Sequence, residues 1–345
     1  MKSTIKDVAD LAGVSFKTVS RVINQEGSVK PDTLSKVTNA IKELNYQPNS
    51  AARNLAGMRS YTIGYVYDNP NAYYVIDMQN GMLAECRDRG YELLIHPCNA
   101  NSDNIIEEIL TMIRRSQLAG LIISPPLSEM PQVLSALAKL DLAFVRIISG
   151  SCEQNENSPC VFIHDHEAAY QITEHLIKLG HKKIAFISGD AGHRSTGERY
   201  EGYLDALQAN QLSVPPSYLY AGQYSFETGV LGAQALMALD ERPTAIFSCN
   251  DEIAAGALFA SRLMGIGVPD QLSIAGFEDS PFSRQTWPKL TTAAQPTNSI
   301  ARKAASSLIT HIIAQRTGRG KVGPIAHQHF QPELVVREST ATCPD

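Results

Sequence analysis

Phe16, Lys17, Ser20, Arg21 and Asn24 fall together on one side of a short apolar repeat, opposite Val19, Val22 and Ile23, when residues are placed at about 100° per residue. In a DNA major groove, Lys and Arg reach guanine acceptors, Ser and Asn bond base edges, and an apolar ring touches a thymine methyl. An exposed aromatic beside such groups is an odd choice for a merely solvated face. Periodicity alone equally allows a small helical hairpin whose charges face water.

Other chemistry-like patterns carry less. Gly318-Arg319-Gly320-Lys321-Val322-Gly323 satisfies G-x-G-x-x-G. It follows a helical pattern rather than a strand, and Pro324 comes next, so it reads as a loop. His164-Asp165-His166 lacks a third metal ligand at sensible spacing, and Asp165 is expected to cap the helix that follows. The six cysteines, at 86, 98, 152, 160, 249 and 343, show no C-x-x-C and no paired histidine spacing, so reduced thiols are expected. G-x-S-x-G and H-E-x-x-H are absent. No catalytic constellation, metal or cofactor is expected.

The elements that must position the first group begin at Thr4. Thr4 and Asp7 have the spacing of a helix start, Ile5, Val8, Ala9 and Ala12 make an apolar stripe, and Gly13 marks a turn before Ser15 opens the second helix. Pro31 suits a first helical turn. Leu34, Val37, Ile41 and Leu44 then give a third helix, ended by Pro48. Asn49 to Gly57 is Ala-rich and too short for a stable isolated helix, which reads as a flexible linker. Charge follows the same division. Net charge is −5, yet residues 1–60 hold nine Lys/Arg against five Asp/Glu, and the remainder 21 against 30. A basic head on an acidic body confines nucleic-acid contact to one end.

A chain of 345 residues with 43% hydrophobic content is soluble in composition and long enough for two or three units. The opening MKSTIKDVAD has no apolar run after its charge, and no stretch approaches a membrane span, so a cytoplasmic protein is expected. From Tyr61, short strands alternate with amphipathic helices: strands near 62–67, 92–96, 120–124 and 143–147, then a second run near 161–163, 183–188, 218–220, 245–248 and 273–276. Helices near 76–89, 104–116 and 131–140 separate the first run. Such alternation means parallel sheets with helices on both faces. Two runs imply two lobes, with a cleft at the carboxyl ends of the strands.

The segment Asp7 to Asn24, D-V-A-x-x-A-G-V-S-x-x-T-V-S-R-V-x-N, resembles the signature helix-turn-helix of the lac repressor (LacI/GalR) family of bacterial transcription regulators. The likeness continues through Leu44-Asn45-Tyr46-Gln47-Pro48-Asn49, Ala52, Leu55 and Ala56-Gly57. In the body, Glu174-His175-Leu176, Gly180-His181, Ile184–Gly189, Arg199 with Gly202-Tyr203, Asn250-Asp251, Gly276–Asp279 and Leu290-Thr291-Thr292 resemble the same family. The resemblance implies an all-α helix-turn-helix head at 1–48, a hinge helix at 49–60, and an α/β periplasmic-binding-protein-like body at 61–338. That body has two doubly wound parallel-sheet lobes, about 61–160 plus 292–320 and 161–291 plus 321–338, before a tail at 339–345. It also implies a homodimer on double-stranded operator DNA, repressing carbohydrate-utilisation genes in the cytoplasm (nucleoid-associated). The tail has no leucine heptads, so no tetramer-forming helix is expected.

By the same resemblance, Thr4, Ser15, Phe16, Lys17, Thr18, Ser20, Arg21 and Asn24 contact the operator, with Asn49, Ala52 and Arg53 flanking a Leu55 wedge that kinks the duplex. Arg199, Asn250 and Glu278 fall at effector-contacting positions, with Glu278 where the family usually has Asp. Asp68 and Asn69 end the first strand, Arg146 ends the fourth, and Tyr224 and Phe277 offer rings for stacking. Two guanidiniums in one cleft would suit a sugar acid or sugar phosphate, unless they pair with Glu278 or Asp68. The helix 297–314 is expected to return to the first lobe and strands near 333–337 to the second. Three other readings share parts of these features: a periplasmic sugar-binding protein, a co-repressor-dependent regulator of a non-sugar pathway, and a sugar-metabolising enzyme.

Overall fold

The computed structural model describes residues 3–23, 29–46, 60–150, 158–317 and 326–344. The chain divides into two compact units near Tyr61.

The head holds α1 (Ile5–Ala12), α2 (Phe16–Ile23) and α3 (Pro31–Glu43). Thr4 caps α1, and its side chain and the Asp7 carboxylate satisfy each other's backbone N–H in a capping box. The backbone turns at Gly13 with φ +64°, a left-handed conformation that glycine adopts without strain. Val8, Ala9, Val19, Val22, Val37 and Ala40 form the core of the head.

In the body, β1 (Thr62–Tyr67), β2 (Glu92–Pro97), β3 (Gly120–Ile123), β4 (Ala143–Ser149) and β5 (Cys160–Ile163) alternate with α4 (Ala72–Arg89), α5 (Ile105–Ser116) and α6 (Pro131–Leu137). They join β11 (Gln328–Phe330) in a six-stranded sheet of order β11-β5-β4-β3-β1-β2. After α7 (Asp165–Lys178), the strands β6 (Ile184–Ile187), β7 (Leu219–Tyr220), β8 (Ala245–Ser248) and β9 (Ser273–Ala275) form the second sheet, β7-β6-β8-β9. Helices α8 (Arg194–Ala209), α9 (Phe226–Met237), α10 (Asp251–Leu263) and α11 (Pro281–Gln285) alternate with them. All residues of β3, β5, β6 and β8 are buried, as strands covered on both faces must be. In the second lobe Phe186 stacks on Tyr203 and meets Phe247 edge-on, with ring centroids 5.2 and 5.3 Å apart.

Strand pairing corrects the expected lobe limits. Residues 161–163 lie in the first sheet, because β5 pairs in parallel with β4 (Arg146 opposite Cys160) and with β11. The chain leaves the first lobe only after β5. It returns through α12 (Thr297–Thr317), which packs on α4; Gly81 lets the two backbones approach, since a Cβ there would lie 2.3 Å from the Asn298 carbonyl oxygen. Before that crossing, β10 (Thr292–Ala294) pairs with β12 (Glu333–Val335), its Ala294 bridges Glu278 and the preceding Thr291 bridges Ala275, so 292–294 belong with the second lobe. Residues 328–330 belong with the first.

Residues 339–343, expected as a tail beyond the body, are held against the second lobe. Ser339 is fully buried; its Oγ accepts from Thr291 N–H at 2.8 Å and donates to the Ile274 carbonyl at 2.6 Å. Cys343 N–H donates to the Leu179 carbonyl at 2.8 Å. Backbone groups at the edge of β9 find their partners in this segment, which makes it part of the lobe.

Candidate functional site

Helix α2 divides into a buried apolar side and an exposed polar side. Ser15 Oγ accepts from Thr18 N–H at 3.2 Å and meets Thr18 Oγ1 at 2.9 Å, which fixes the start of α2. Val19 and Val22 turn inward while Phe16, Lys17 and Arg21 are exposed, Phe16 to 63%. Thr18 and Ser20 are half-buried beside them. The amphipathic division expected from spacing is thus present from Phe16 to Arg21. Asn24, Asn49, Ala52, Arg53 and Leu55 lie outside the described residues.

Between the lobes of the body is a cavity of about 40 Å³. Asn69, Arg199, Tyr224 and Glu278 line it, as does Asn71. Arg199, on α8, is buried. It donates from Nε to Asp165 Oδ1 at 3.0 Å and from one terminal nitrogen to the Cys249 carbonyl at 2.8 Å, and reaches Glu278 Oε1 at 3.5 Å. Its guanidinium carbon lies 3.9 Å from the Phe277 ring centroid. Burial opposes its charge, but the Asp165 carboxylate, the largest opposing influence, holds the guanidinium protonated.

Glu278 joins the lobes. Its Oε2 accepts from Asn71 Nδ2 at 2.7 Å, while Oε1 faces Arg199. Burial pushes its carboxyl up to about 7, partly opposed by Arg199. Asn71 is held in turn, its Oδ1 accepting from Tyr73 and Tyr74 N–H at 3.1 and 3.3 Å at the start of α4. Tyr224 Oη meets Thr196 Oγ1 at 2.8 Å, and burial keeps the phenol neutral by raising its pKa. A wider groove of about 480 Å³ shares Tyr74, Glu278 and Gln295 with the cavity.

Four expected residues are placed elsewhere. Arg146 lies three residues short of the end of β4, which runs on to Ser149. Its Nε donates to the Ser128 carbonyl at 2.8 Å, and it does not line the cavity. Two guanidiniums therefore do not converge, which removes the geometric ground for an acidic ligand. Asp68 accepts from Ala100 N–H at 2.8 Å, and Phe277 is fully buried under Arg199. Asn250 caps α10, accepting from Ile253 N–H at 2.9 Å. Asp251 is buried, pushed up to about 8 by burial, and accepts from Thr292 Oγ1 and Ser280 N–H, each at 2.7 Å.

Asp165 does not cap α7 but is its first residue, a buried acceptor for Arg199 and Ser149 Oγ. Asn71, Ser149, Asp165 and Gln295 are lining residues that sequence reasoning missed. Only Asn71, an Asn directly before a helix, carried a legible signal.

A helix-turn-helix head followed by a two-lobed α/β body defines the class, and known proteins agree. Residues 4–49 match the family described as bacterial regulatory proteins, lacI family, and residues 173–340 match a periplasmic binding protein-like domain. The repressor PurR of Haemophilus influenzae (strain PittEE) is 33% identical over 340 residues, 98% of each chain. That of Actinobacillus pleuropneumoniae serotype 5b (strain L20) is 34% identical over 339 residues, again 98% of each. A CelR–cellobiose complex matches with TM-score 0.72 and 26% identity, covering 98% of this chain and 100% of the other. The lac repressor dimer bound to operator and the anti-inducer ONPF matches with TM-score 0.72 and 25% identity, covering 99% and 100%. This chain belongs to the lacI family of bacterial regulatory proteins. It is a DNA-binding transcriptional regulator.

Proposed function

We propose that the protein is a homodimeric, cytoplasmic repressor whose hold on operator DNA is set by a neutral, hydroxyl-rich effector bound between the lobes. The observation that carries the effector class is the charge balance of the cavity: among the described residues its one lining guanidinium, Arg199, already faces two carboxyl groups, Asp165 and Glu278. An anionic ligand would meet those carboxyls, whereas ring hydroxyls can donate to Glu278 and accept from Asn71 Nδ2. The similar fold of the CelR–cellobiose complex supports a sugar. The relatives at higher sequence identity are named PurR, and a neutral ring bearing N–H donors satisfies the same acceptors, which keeps a non-sugar effector as the second reading.

A site for a whole ring is about 300–1,000 Å³, far more than the 40 Å³ present. The effector therefore enters as the lobes part, breaking the Asn71–Glu278 bond, and the arrangement it selects resets the spacing of the two heads. In this reading Thr4, Ser15, Phe16, Lys17, Thr18, Ser20, Arg21 and Asn24 take the major groove, and Asn49, Ala52, Arg53 and Leu55 the minor groove. No catalytic step is assigned.

Calorimetric titration against matched neutral sugars, acidic sugars and neutral N–H-bearing heterocycles tests the class. Binding of neutral sugars alone is expected; preference for the acidic set overturns the reading, and preference for the heterocycles selects the second. Gel shifts with the gene's own upstream DNA test the head. Lys17→Ala should blur operator discrimination, and Leu55→Ala should weaken binding and bending; wild-type behaviour in both would refute the contacts.

A further inference from the structure

His96, Cys98 and Glu108 come together on the first lobe, away from the cleft. Their ligand atoms all lie within 4.8 Å of one another, with His96 Nε2 and Glu108 Oε1 at 3.1 Å. His96 is near the end of β2 and Cys98 follows it by two, so an extended chain points both side chains to one face. Glu108 is the fourth residue of α5, whose other side buries Ile105, Ile109, Met112 and Ile113. None of the three lines the effector cavity.

The frame around them is fixed. Cys98 N–H donates to the Tyr67 carbonyl at 2.8 Å, and Asp68 holds Ala100 N–H at 2.8 Å. Asn99 turns the loop by accepting from Asn101 N–H at 2.9 Å and Ser102 N–H at 3.0 Å. A shallow groove of about 580 Å³ reaches His96 and Glu108 and gives access from solvent.

We propose that His96, Cys98 and Glu108 bind one Zn²⁺ ion, with water as the fourth ligand. One imidazole nitrogen, one sulfur and one carboxylate oxygen select a borderline-soft cation over Mg²⁺ or Ca²⁺. Zinc bond lengths of about 2.0–2.3 Å place donors of a tetrahedral site roughly 3.3–3.8 Å apart. His96 Nε2 and Glu108 Oε1, at 3.1 Å, already lie close to that spacing, and no two of the three ligand atoms are more than 4.8 Å apart. The ion ties β2 to α5.

Cobalt substitution of the full-length protein tests this after chelator treatment and dialysis. One Co²⁺ per chain should bind, with a thiolate-to-cobalt charge-transfer band and intense tetrahedral d–d bands, and one Zn²⁺ should displace it. Cys98→Ser should abolish the charge-transfer band, while Cys343→Ser leaves it intact. Glu108→Gln changes only an exposed helical side chain and should weaken Zn²⁺ binding by about tenfold or more. Absence of a thiolate band in wild type, its persistence in Cys98→Ser, or equal Zn²⁺ affinity in Glu108→Gln overturns the proposal. Zinc should raise the melting temperature of wild type and not of Cys98→Ser.

Discussion

Glu278 holds a left-handed backbone, φ +102°, that costs a non-glycine residue about 1–3 kcal/mol. Its N–H donates to the Ala293 carbonyl at 2.9 Å, and Gln295 N–H donates to the Glu278 carbonyl at 3.3 Å, so neighbouring strands impose the conformation. The carboxyl sits at about 7 against an ordinary 4.5. The native state therefore binds this proton more tightly than the unfolded chain does. Its stabilising contribution is complete below pH 4.5 and is lost as pH rises through about 7. In Glu278→Gln that dependence disappears: urea denaturation should show the stability difference, wild type minus variant, falling across this window, and a flat difference would refute the assignment. Arg199→Met should destabilise the body by about 3–5 kcal/mol, because it leaves the Asp165 carboxylate buried without its cation.

At the scale of elements, the turn between α1 and α2 rests on Gly13. A Cβ there would meet nothing within 4 Å, so Gly13→Ala costs only the left-handed backbone, about 1–2 kcal/mol. That loss should appear as weaker operator binding with unchanged effector affinity; equal loss of both would place the defect elsewhere. Asn71 has two jobs at the start of α4, capping through Oδ1 and bridging the lobes through Nδ2. Asn71→Asp keeps an acceptor for the cap but sets a carboxylate against Glu278. Above pH 7 it should open the lobes, seen as a larger radius of gyration by small-angle scattering, while helix content stays constant. An unchanged radius would show that this bond does not hold the closure. Spacing foretold both ends of α1 and the alternation of the body. It did not foretell that β4 runs to Ser149, because a buried apolar run ends wherever its partner strand ends, and that displaced Arg146 from the site.

For the whole molecule, charge segregation sets the expected solution behaviour. The basic head should bind operator with log affinity falling linearly as log salt rises, whereas effector binding to the neutralised cleft should vary little with salt. A salt-insensitive gel shift would contradict DNA contact through Lys17 and Arg21. Light scattering should give a dimer that persists with and without effector. A stable tetramer would refute the dimeric assembly proposed for this chain.

Local pattern was enough to determine the head, the two-lobed parallel-sheet class and the family, because helix caps, apolar periodicity and the motif from Asp7 to Asn24 are all read within a few turns of chain. Arg199 and Glu278 also lay within reach of motif likeness. Tertiary structure alone decided which sheet received β5, that residues 338–343 close the second lobe, and that Asp165 neutralises Arg199. It alone set His96, Cys98 and Glu108 side by side. These depend on hydrogen bonds and charge pairs between residues distant in sequence, and burial sets the strength of those pairs: the same Glu side chain titrates near 4.5 in water and near 7 between the lobes.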